Sequence, residues 1–317
     1  MAELITISIP TYRRPSLLLH AIHSCLLQDY RPLEIDISDD SPSSETEALV
    51  RSISLPPHVS LRYWRNSPSL RQQGNVNKLF AMARGSKLVL LHDDDTLLPG
   101  AISALYDAFS LSDSVVAAYG IQHVILENGE VSPADTEAFN GYANRTPGFT
   151  GLQKDIVKCA LWLQFPNNGY LIATPLVKSI GYRCEDEIGD ACDADFAIRL
   201  ALANPSSHFA FVNRYTSQYR VLLSSARTAH NNCWKLYDES LKLEDLTPSQ
   251  MQARDELLRK IAEQALVDNA FHRRRKRALE IFFSPFYPSR TTLKAAYHLG
   301  LISFPALLAC RDLIRGR

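Results

Sequence analysis

The chain has 317 residues, of which 46% are hydrophobic and 21% charged, values typical of a soluble globular protein. Basic and acidic residues number 34 each, so the net charge is zero and gives no support for a nucleic-acid partner. The six cysteines form no CxxC pair, which argues against a zinc knuckle. No stretch reaches the roughly 20 apolar residues of a membrane span, and the N-terminus lacks a signal-peptide pattern. We therefore expect a cytoplasmic protein whose membrane contact, where there is any, is peripheral.

The first third of the chain alternates short apolar runs with segments of helical spacing. Strands are predicted at residues 4–9, 33–37, 59–64 and 88–91, and helices at 16–28, 45–53, 73–84 and 101–109. Four strands separated by helices of this size predict right-handed βαβ crossovers. The fold class is therefore α/β with a mostly parallel central sheet flanked by helices.

Three consecutive carboxylates, Asp93, Asp94 and Asp95, follow the fourth predicted strand. Like charges repel one another, and a hard divalent cation such as Mn²⁺ or Mg²⁺ would remove that repulsion. In open α/β sheets ligands bind at the carboxyl ends of the strands, where this cluster falls. The alternative is an acidic helix N-terminus favoured by capping and the helix dipole, which explains one or two of the three.

A second acidic strand end, Asp39 and Asp40, follows the second predicted strand. A carboxylate at such a position can accept a hydrogen bond from a pyrimidine base or a ribose hydroxyl. The same residues, followed by Ser41 and Pro42, are also typical of a turn and helix cap. Two acidic strand ends in one sheet support a nucleotide–metal site more strongly than either cluster does alone.

The middle of the chain is predicted less sharply. Strands are expected at 115–119, 123–126 and 209–212, a hairpin at the Asn-Gly of 128–129, a mobile loop at 132–150, helices at 151–163, 175–180 and 196–203, and an acidic loop at 185–190. Tyr219 and Arg220 are placed just after a further turn. Neither GxGxxG nor GxxxxGK[ST] occurs, so dinucleotide redox enzymes and P-loop NTPases lose their main support.

The C-terminal region changes in character and in charge. Helices are predicted at 234–243, 248–283 and 293–314, and residues 271–317 carry ten basic and two acidic side chains. The basic run 272–277 lies beside aromatic residues, a combination typical of an interfacial helix on anionic lipid. The alternative is a helical cap that packs its apolar face on the preceding domain.

Several segments, taken in order, resemble the family 2 glycosyltransferases of the GT-A fold, of the bacterial surface-glycan type. They are residues 9–15 (IPTYRRP), 24–28 (SCLLQ), 33–41 (LEIDISDDS), 83–85 (ARG), 92–95 (HDDD), 193–200 (DADFAIRL) and 219–220 (YR). The resemblance implies a GT-A domain at 1–222 and a helical C-terminal extension at 223–317. His92 departs from the family pattern, since many members begin the acidic motif with Asp, and Cys192 replaces a Glu that often precedes the base.

The resemblance also implies roles for particular residues. Asp193 would be the catalytic base, and Asp94 and Asp95 would bind Mn²⁺ or Mg²⁺. The nucleotide sugar would contact Thr11, Tyr12, Arg13, Asp39, Asp40, Arg71, Asn77, Asp93 and Asp94. The acceptor side is assigned to Asn167, Asn168 and Tyr170.

The expected function is inverting, metal-dependent transfer of a sugar from a UDP- or dTDP-sugar to a hydroxyl of a glycan or lipid-linked glycan. A carboxylate must take the proton of the acceptor hydroxyl, whose own pKa is far above neutrality. One alternative is a sugar nucleotidyltransferase, which would need a Gly-rich loop that residues 11–16 do not provide. Another is a non-catalytic nucleotide-sugar-binding protein, against which the retained acidic residues argue.

Overall fold

The computed structural model describes residues 2–222 and 233–303. Their packing separates two compact units: residues 2–183 with 196–222, and residues 184–195 with 233–303. Residues 184–195 thus group with the C-terminal helices, whereas the predicted division after residue 222 assigns them to the first domain. That predicted division stays a prediction.

The first unit is built on one mixed sheet. Its strands are β1 (Ile5–Thr11), β2 (Leu33–Asp39), β3 (Val59–Arg65), β4 (Lys87–Leu90), β5 (Thr96–Leu97), β6 (Val115–Ile125), β7 (Gly151–Gln153), β8 (Leu171–Ala173) and β9 (His208–Arg220). The order is β3-β2-β1-β4-β8-β6-β9-β5, with β7 paired to β9. The β3-β2-β1-β4 half is wholly parallel, and β6 is parallel to β9. The four early strands and the mostly parallel α/β class are confirmed.

Helices cover the sheet and continue beyond it. In chain order they are α1 (Pro15–Leu26), α2 (Glu45–Arg51), α3 (Arg71–Met82), α4 (Ala101–Asp107), α5 (Pro133–Tyr142), α6 (Ile156–Leu161), α7 (Thr174–Ile180), α8 (Glu185–Ile188), α9 (Cys192–Ala203), α10 (Cys233–Leu241), α11 (Pro248–Phe271), α12 (Arg275–Phe283) and α13 (Leu293–Ser303). The four helices predicted before residue 110 are confirmed as α1 to α4. The predicted tail helix 293–314 is described only as far as residue 303, and its remainder lies outside the described residues.

The predicted mobile loop at 132–150 is wrong, because this segment contains α5. Pro133 occupies the first turn, and the Ser132 side chain accepts a hydrogen bond from the Asp135 N–H, a typical helix start. The helix is polar, but its Asn140 side chain is buried and donates to the Gln122 carbonyl at 2.8 Å. A helix that packs through a buried amide shows little apolar periodicity, which is why the sequence suggested a loop.

Other boundaries also differ from prediction. The strands predicted at 115–119 and 123–126 form the single strand β6, in which Gly120 is a point of close packing: a Cβ there would come within 2.5 Å of the Thr216 side chain. The helix predicted at 151–163 begins as β7, and the acidic loop at 185–190 contains α8. Strand β9 runs through to Arg220. The helix predicted at 248–283 is broken into α11 and α12 at Arg273, whose φ is 58°.

The central strands are buried on both faces, as expected for parallel strands covered by helices. Ile5, Ile7 and Ile9 of β1 and the apolar run Leu88–Leu91 are all fully buried. Polar residues therefore accumulate where these strands end. Because the parallel strands end at the same edge, that edge is where a ligand site is expected.

The second unit is helical in the part that the structure describes. Helix α11 begins with Thr247 and Gln250 in a reciprocal capping arrangement and buries residues such as Leu257 and Leu258. Helix α12 buries Ala278, Ile281 and Phe282. Across the described residues, every helix is too short or too polar to span a bilayer.

Candidate metal and nucleotide site

An acidic cluster lies directly after β4. Ligand atoms of His92, Asp94 and Asp95 all lie within 4.8 Å of one another. Asp93 and Asp95 are 5% and 1% exposed, so the cluster carries nearly buried carboxylates. These side chains lie close together because they follow one another directly after the end of the buried strand β4. The structure therefore brings together the two predicted metal ligands and adds an imidazole.

The pKa values of two carboxyls at this strand end are raised. Burial, followed by the nearby Asp94 carboxylate, raises the pKa of Asp93 to about 6. The same two causes raise the pKa of Asp95 to about 7. A cation bound nearby would therefore favour the ionised form of both carboxyls. The two carboxylates supply the oxygen ligands that Mg²⁺ and Mn²⁺ prefer, and the imidazole is a further donor for a divalent cation.

The Asp95 carboxylate is held from both sides. Its Oδ2 accepts a hydrogen bond from the Asn168 side chain at 2.8 Å, and its Oδ1 accepts one from the Arg220 N–H at 2.7 Å. Asn168 is fully buried, and its Nδ2 also lies 3.4 Å from His92 Nδ1. Asn168, one of the three residues that the sequence analysis assigned to the acceptor side, thus contacts the acidic cluster.

Arg14, which the sequence reasoning did not select, is the principal cation at this edge. Its guanidinium lies 2.7 Å from Asp94 Oδ2 and 3.3 Å from Asp93 Oδ1. The Thr11 hydroxyl donates to Asp93 Oδ2 at 2.7 Å, and the Tyr12 N–H approaches the same oxygen at 3.4 Å. The ends of β1 and β4 are therefore joined through Asp93. The paired arginines after β1 were the available sequence signal.

The second acidic strand end lies on the other side of β1. Asp39 pairs with Thr11 in the β1–β2 ladder. Its Oδ1 accepts from the Ser41 N–H and its Oδ2 from the Tyr63 hydroxyl, both at 2.8 Å. Burial and the Asp39 hydrogen bond raise the pKa of Tyr63, so this phenol stays a donor. Thr11 thus stands between the two acidic ends.

Asp40 is held within a polar network that the sequence did not predict. Its two oxygens accept hydrogen bonds from Asn66 at 2.6 Å and from the Ser69 hydroxyl at 2.8 Å. Asn66 also bonds Asn75 at 3.1 Å and accepts from Lys78 at 2.5 Å. This carboxylate therefore already has several donors from its own chain.

The other residues assigned to the nucleotide sugar differ in placement. Arg13 is exposed, with its guanidinium 5.0 Å from the Tyr12 ring, and its N–H donates to Ser41. Arg71 is exposed at the start of α3. Asn77 makes two hydrogen bonds with the backbone of Tyr182, at 2.7 and 2.9 Å, and so fixes α3 to that segment.

Of the remaining assigned residues, Asn167 and Tyr170 flank the segment Asn168–Gly169, and Asp193 belongs to the other unit. Asn167 is half-buried, whereas Tyr170 is 1% exposed with its ring 4.5 Å from that of Phe165. Asp193 lies in the first turn of α9, in the part of that helix assigned to the second unit. Its role as catalytic base stays a prediction.

Comparison with known sequences places this site in a family. The profile described as "Glycosyl transferase family 2" matches residues 6–165, just over half of the chain. A Campylobacter jejuni protein named GalNAc(5)-diNAcBac-PP-undecaprenol beta-1,3-glucosyltransferase is 36% identical over 101 residues, 32% of this chain and 33% of that protein. An uncharacterized protein of Mycobacterium tuberculosis is 34% identical over 106 residues. The matches span about a third of these relatives.

Solved structures agree at the level of the fold. S. aureus TarS 1-349 in complex with UDP-GlcNAc has a TM-score of 0.57 at 14% identity, covering 94% of this chain and 80% of that one. The mannosyltransferase PcManGT from Pyrobaculum calidifontis, in complex with GDP-Man and Mn²⁺, has a TM-score of 0.54 at 14% identity, covering 97% and 88%. The predicted GT-A fold is confirmed. With its family profile, its fold and the acidic edge of its sheet, the chain belongs to glycosyltransferase family 2 and is a transferase.

Proposed function

We propose that this chain moves a sugar from a nucleotide-diphosphate donor, a UDP- or dTDP-sugar, to a hydroxyl acceptor, in a metal-dependent reaction that inverts the anomeric carbon. The observation that carries the proposal is the edge formed by β2, β1 and β4. There Thr11 pairs with Asp39 and donates to Asp93, beside the cluster of His92, Asp94 and Asp95. Nucleoside, diphosphate and metal groups would each find suitable partners along that edge.

Each part of the edge has chemistry that suits one part of the donor. Asp39 offers acceptor oxygens for a base N–H, and Asp93 offers them for the ribose hydroxyls. His92, Asp94 and Asp95 would hold Mn²⁺ or Mg²⁺, which when bound stabilises the charge developing on the departing diphosphate. Arg14 has the forked donor geometry that phosphates prefer, so it would turn from the carboxylates to the diphosphate once a metal neutralises them.

A donor-binding screen tests this assignment. Thermal melts of the full chain would be recorded with UDP-, dTDP- and GDP-sugars, each with and without Mn²⁺. We expect one donor class to raise the melting temperature in a Mn²⁺-dependent manner, because a ligand that binds only the native state stabilises it. Product analysis then separates the alternatives: nucleoside diphosphate released with sugar transfer supports the proposal, and pyrophosphate chemistry would indicate nucleotidyl transfer. Binding without turnover on any acceptor would support a non-catalytic role.

Asp193 is the proposed general base. Asp193→Asn retains the size of the side chain and its capping ability but removes the basic carboxylate. We expect turnover to fall by roughly two to four orders of magnitude, the usual range for removal of a general base, with donor affinity nearly unchanged. Asp190→Asn, an exposed carboxylate in the same acidic segment, is the matched control. Loss of donor affinity in proportion to rate would place Asp193 in the nucleotide site instead.

The acceptor is proposed to be a glycan or a lipid-linked glycan at the cytoplasmic face of the cell membrane. The name of the C. jejuni relative describes an undecaprenol-linked glycan substrate, although the similarity covers only a third of either protein. A surface on the second unit supports this assignment. Along α12, Arg275, Leu279 and Phe283 recur every four residues and are all exposed, with Lys276 beside them.

Exposed cations and large apolar side chains on one helix face suit an anionic lipid surface. Arg273, Arg275 and Lys276 changed to Gln should weaken binding to phosphatidylglycerol vesicles by roughly 100-fold at low salt, at about 1 kcal/mol per basic residue. The control changes Arg51, Lys154 and Lys178, which are exposed cations of the first unit. Co-sedimentation measures both. Wild-type protein that ignores these vesicles at low salt, or that self-associates through this face, would remove the membrane from the proposal.

A further inference from the structure

We propose that a buried relay, which runs from the side chains of Arg145 and Gln122 to the backbone carbonyl of Asn168, positions Asp95 for metal binding through the Asn168 side chain. The inference deepens the metal-dependent function proposed above and rests on it. All the members of the relay belong to the first unit and are no more than 4% exposed. None of these residues except Asn168 was selected from the sequence.

The relay ends at the acidic cluster of His92, Asp94 and Asp95. Asn168 Nδ2 donates to Asp95 Oδ2 at 2.8 Å and lies 3.4 Å from His92 Nδ1, so one amide contacts two members of the cluster. Each Asp95 oxygen accepts one hydrogen bond, the other coming from the Arg220 N–H. A carboxylate oxygen has two lone-pair sites, so each oxygen retains one for a metal. Asn168 therefore orients the Asp95 carboxylate and leaves both of its oxygens able to bind a metal.

The Gln122 amide, in the middle of the relay, has a fixed orientation. Gln122 Oε1 accepts a hydrogen bond from the Arg145 guanidinium, and Gln122 Nε2 donates to the backbone carbonyl of Asn168 at 3.4 Å. An arginine side chain has only donors, so the amide oxygen of Gln122 must face it. The amide nitrogen consequently faces Asn168. The charge of Arg145 thus determines which end of Gln122 meets the segment that carries Asn168.

Arg145 is an unusual residue to bury. It is 4% exposed, its guanidinium lies 4.8 Å from the centre of the Phe139 ring, and within the described part of the chain no carboxylate is in ion-pair contact with it. Burying a cation among aromatic and amide groups costs free energy that an apolar residue would not. What Arg145 adds over an apolar residue is its donor to Gln122.

The backbone beside Asn168 is held independently. Gly169 has a φ of 73° and donates its N–H to the Leu90 carbonyl, the last residue of β4, at 2.7 Å. A Cβ on Gly169 would come within 2.7 Å of the Ser217 hydroxyl, so a side chain does not fit there. This turn fixes the backbone carbonyl of Asn168 at a position where it accepts the hydrogen bond from Gln122. The relay thus acts on a preformed segment.

The test measures Mn²⁺ binding to the full chain by isothermal titration calorimetry, with no donor present, so that it does not depend on activity. Partners behind a metal ligand typically contribute 10- to 100-fold in affinity. We expect Asn168→Ala to raise the Mn²⁺ Kd about tenfold or more, and Gln122→Ala and Arg145→Met to raise it by smaller factors. Arg145→Lys, which keeps a cationic donor, should recover part of the loss.

A matched control and a double variant distinguish positioning from general destabilisation. Gln164→Ala removes another buried amide, one that bonds the Tyr119 hydroxyl and the Asn144 carbonyl. It should lower the melting temperature without changing the Mn²⁺ Kd. Because Arg145 is argued to act through Asn168, the double variant Asn168→Ala/Arg145→Met should bind Mn²⁺ no more weakly than Asn168→Ala alone.

The outcomes separate the two proposals. Wild-type protein that does not bind Mn²⁺ would overturn the metal-dependent function and the relay together. Wild-type binding with unchanged affinity in Asn168→Ala, or additive losses in the double variant, would overturn the relay alone. Where Arg145→Met does not fold, Arg145→Lys and Gln122→Ala carry the comparison.

Discussion

The ends of β2 and β4 carry adjacent aspartates in very different surroundings. Asp39 and Asp40 together accept four hydrogen bonds from their own chain, from Ser41, Tyr63, Asn66 and Ser69. At the end of β4 the carboxylates also have partners, among them Arg14, Asn168 and the Arg220 N–H. They lie beside one another and an imidazole, however, and burial together with mutual repulsion raises two of their pKa values. Four neutral donors of the chain hold the first pair, whereas the second cluster groups acidic side chains and an imidazole that could hold a metal ion. Similar sequence motifs therefore support different chemistry.

The largest expected effect comes from deleting a carboxylate at β4. Asp94→Ala should remove Mn²⁺ binding and lower sugar transfer by at least about 100-fold, because the charge stabilisation that a metal supplies is worth several kcal/mol. The metal-free fold should be unharmed, since one of three mutually repelling charges is gone. Calorimetry with Mn²⁺ and a turnover assay measure both effects. Full activity of this variant, or of wild-type protein in EDTA, would contradict a metal role.

The pH dependence of Mn²⁺ affinity should differ from that of a site with ordinary carboxylates. Protons compete with the metal for its ligand Asp95, whose pKa is raised to about 7, and protonation of the neighbouring Asp93, with a pKa of about 6, removes a negative charge that attracts the metal. Affinity should therefore be greatest above pH 7 and fall by up to about tenfold per pH unit for each competing proton. Titrations from pH 5.5 to 8 test this, and a flat profile would contradict it.

The stability of the metal-free protein should change in the opposite direction. Because these carboxyls have folded-state pKa values above the ordinary 3.8, they favour the native state most at low pH. Their contribution is lost as pH rises through about 6 to 7. The stabilisation by added Mn²⁺ should accordingly increase over that range. Denaturant unfolding with and without Mn²⁺ measures it, with Asp94→Ala as a control whose metal response is absent.

At β2 the effect of losing a carboxylate should be on the fold. Asp40→Ala leaves the buried Asn66 amide and the Ser69 hydroxyl without this acceptor, which should lower the free energy of unfolding by about 1–3 kcal/mol. Mn²⁺ affinity should stay at the wild-type value. Unfolding and calorimetry on the same samples make the comparison with Asp94→Ala direct. A loss of Mn²⁺ binding here would mean that the two strand ends act as one site.

The smallest effect is expected from Tyr63→Phe, which removes one donor from Asp39 and nothing else. We expect a loss of about 0.5–1.5 kcal/mol in the free energy of unfolding, the range for a single neutral hydrogen bond. Nucleotide affinity should change only a few-fold, since the Ser41 N–H still orients Asp39. A larger loss of affinity than of stability would show that Tyr63 itself contacts the nucleotide.

The sequence alone determined the early strands, their parallel orientation and the two acidic strand ends. Periodicity is a local property, and apolar runs such as 88–91 are recorded directly in the order of residues. The grouping of Asp93, Asp94 and Asp95 at a ligand-binding edge also followed from local pattern, because parallel strands end together. The family resemblance added the fold, which the comparisons confirm.

Only the tertiary structure decided which partners those carboxylates have. Arg14, Asn168 and Arg220 reach the acidic cluster from positions 73 to 126 residues away in the chain, a separation over which no spacing rule operates. The same holds for the polar helix α5 and for Arg145 and Gln122, whose hydrogen bonds replace the apolar periodicity that prediction uses. Hydrogen bonds between buried polar side chains depend on which residues the fold brings close together. The carboxylates can therefore be identified from the sequence, whereas their hydrogen-bond partners can be identified only from the tertiary structure.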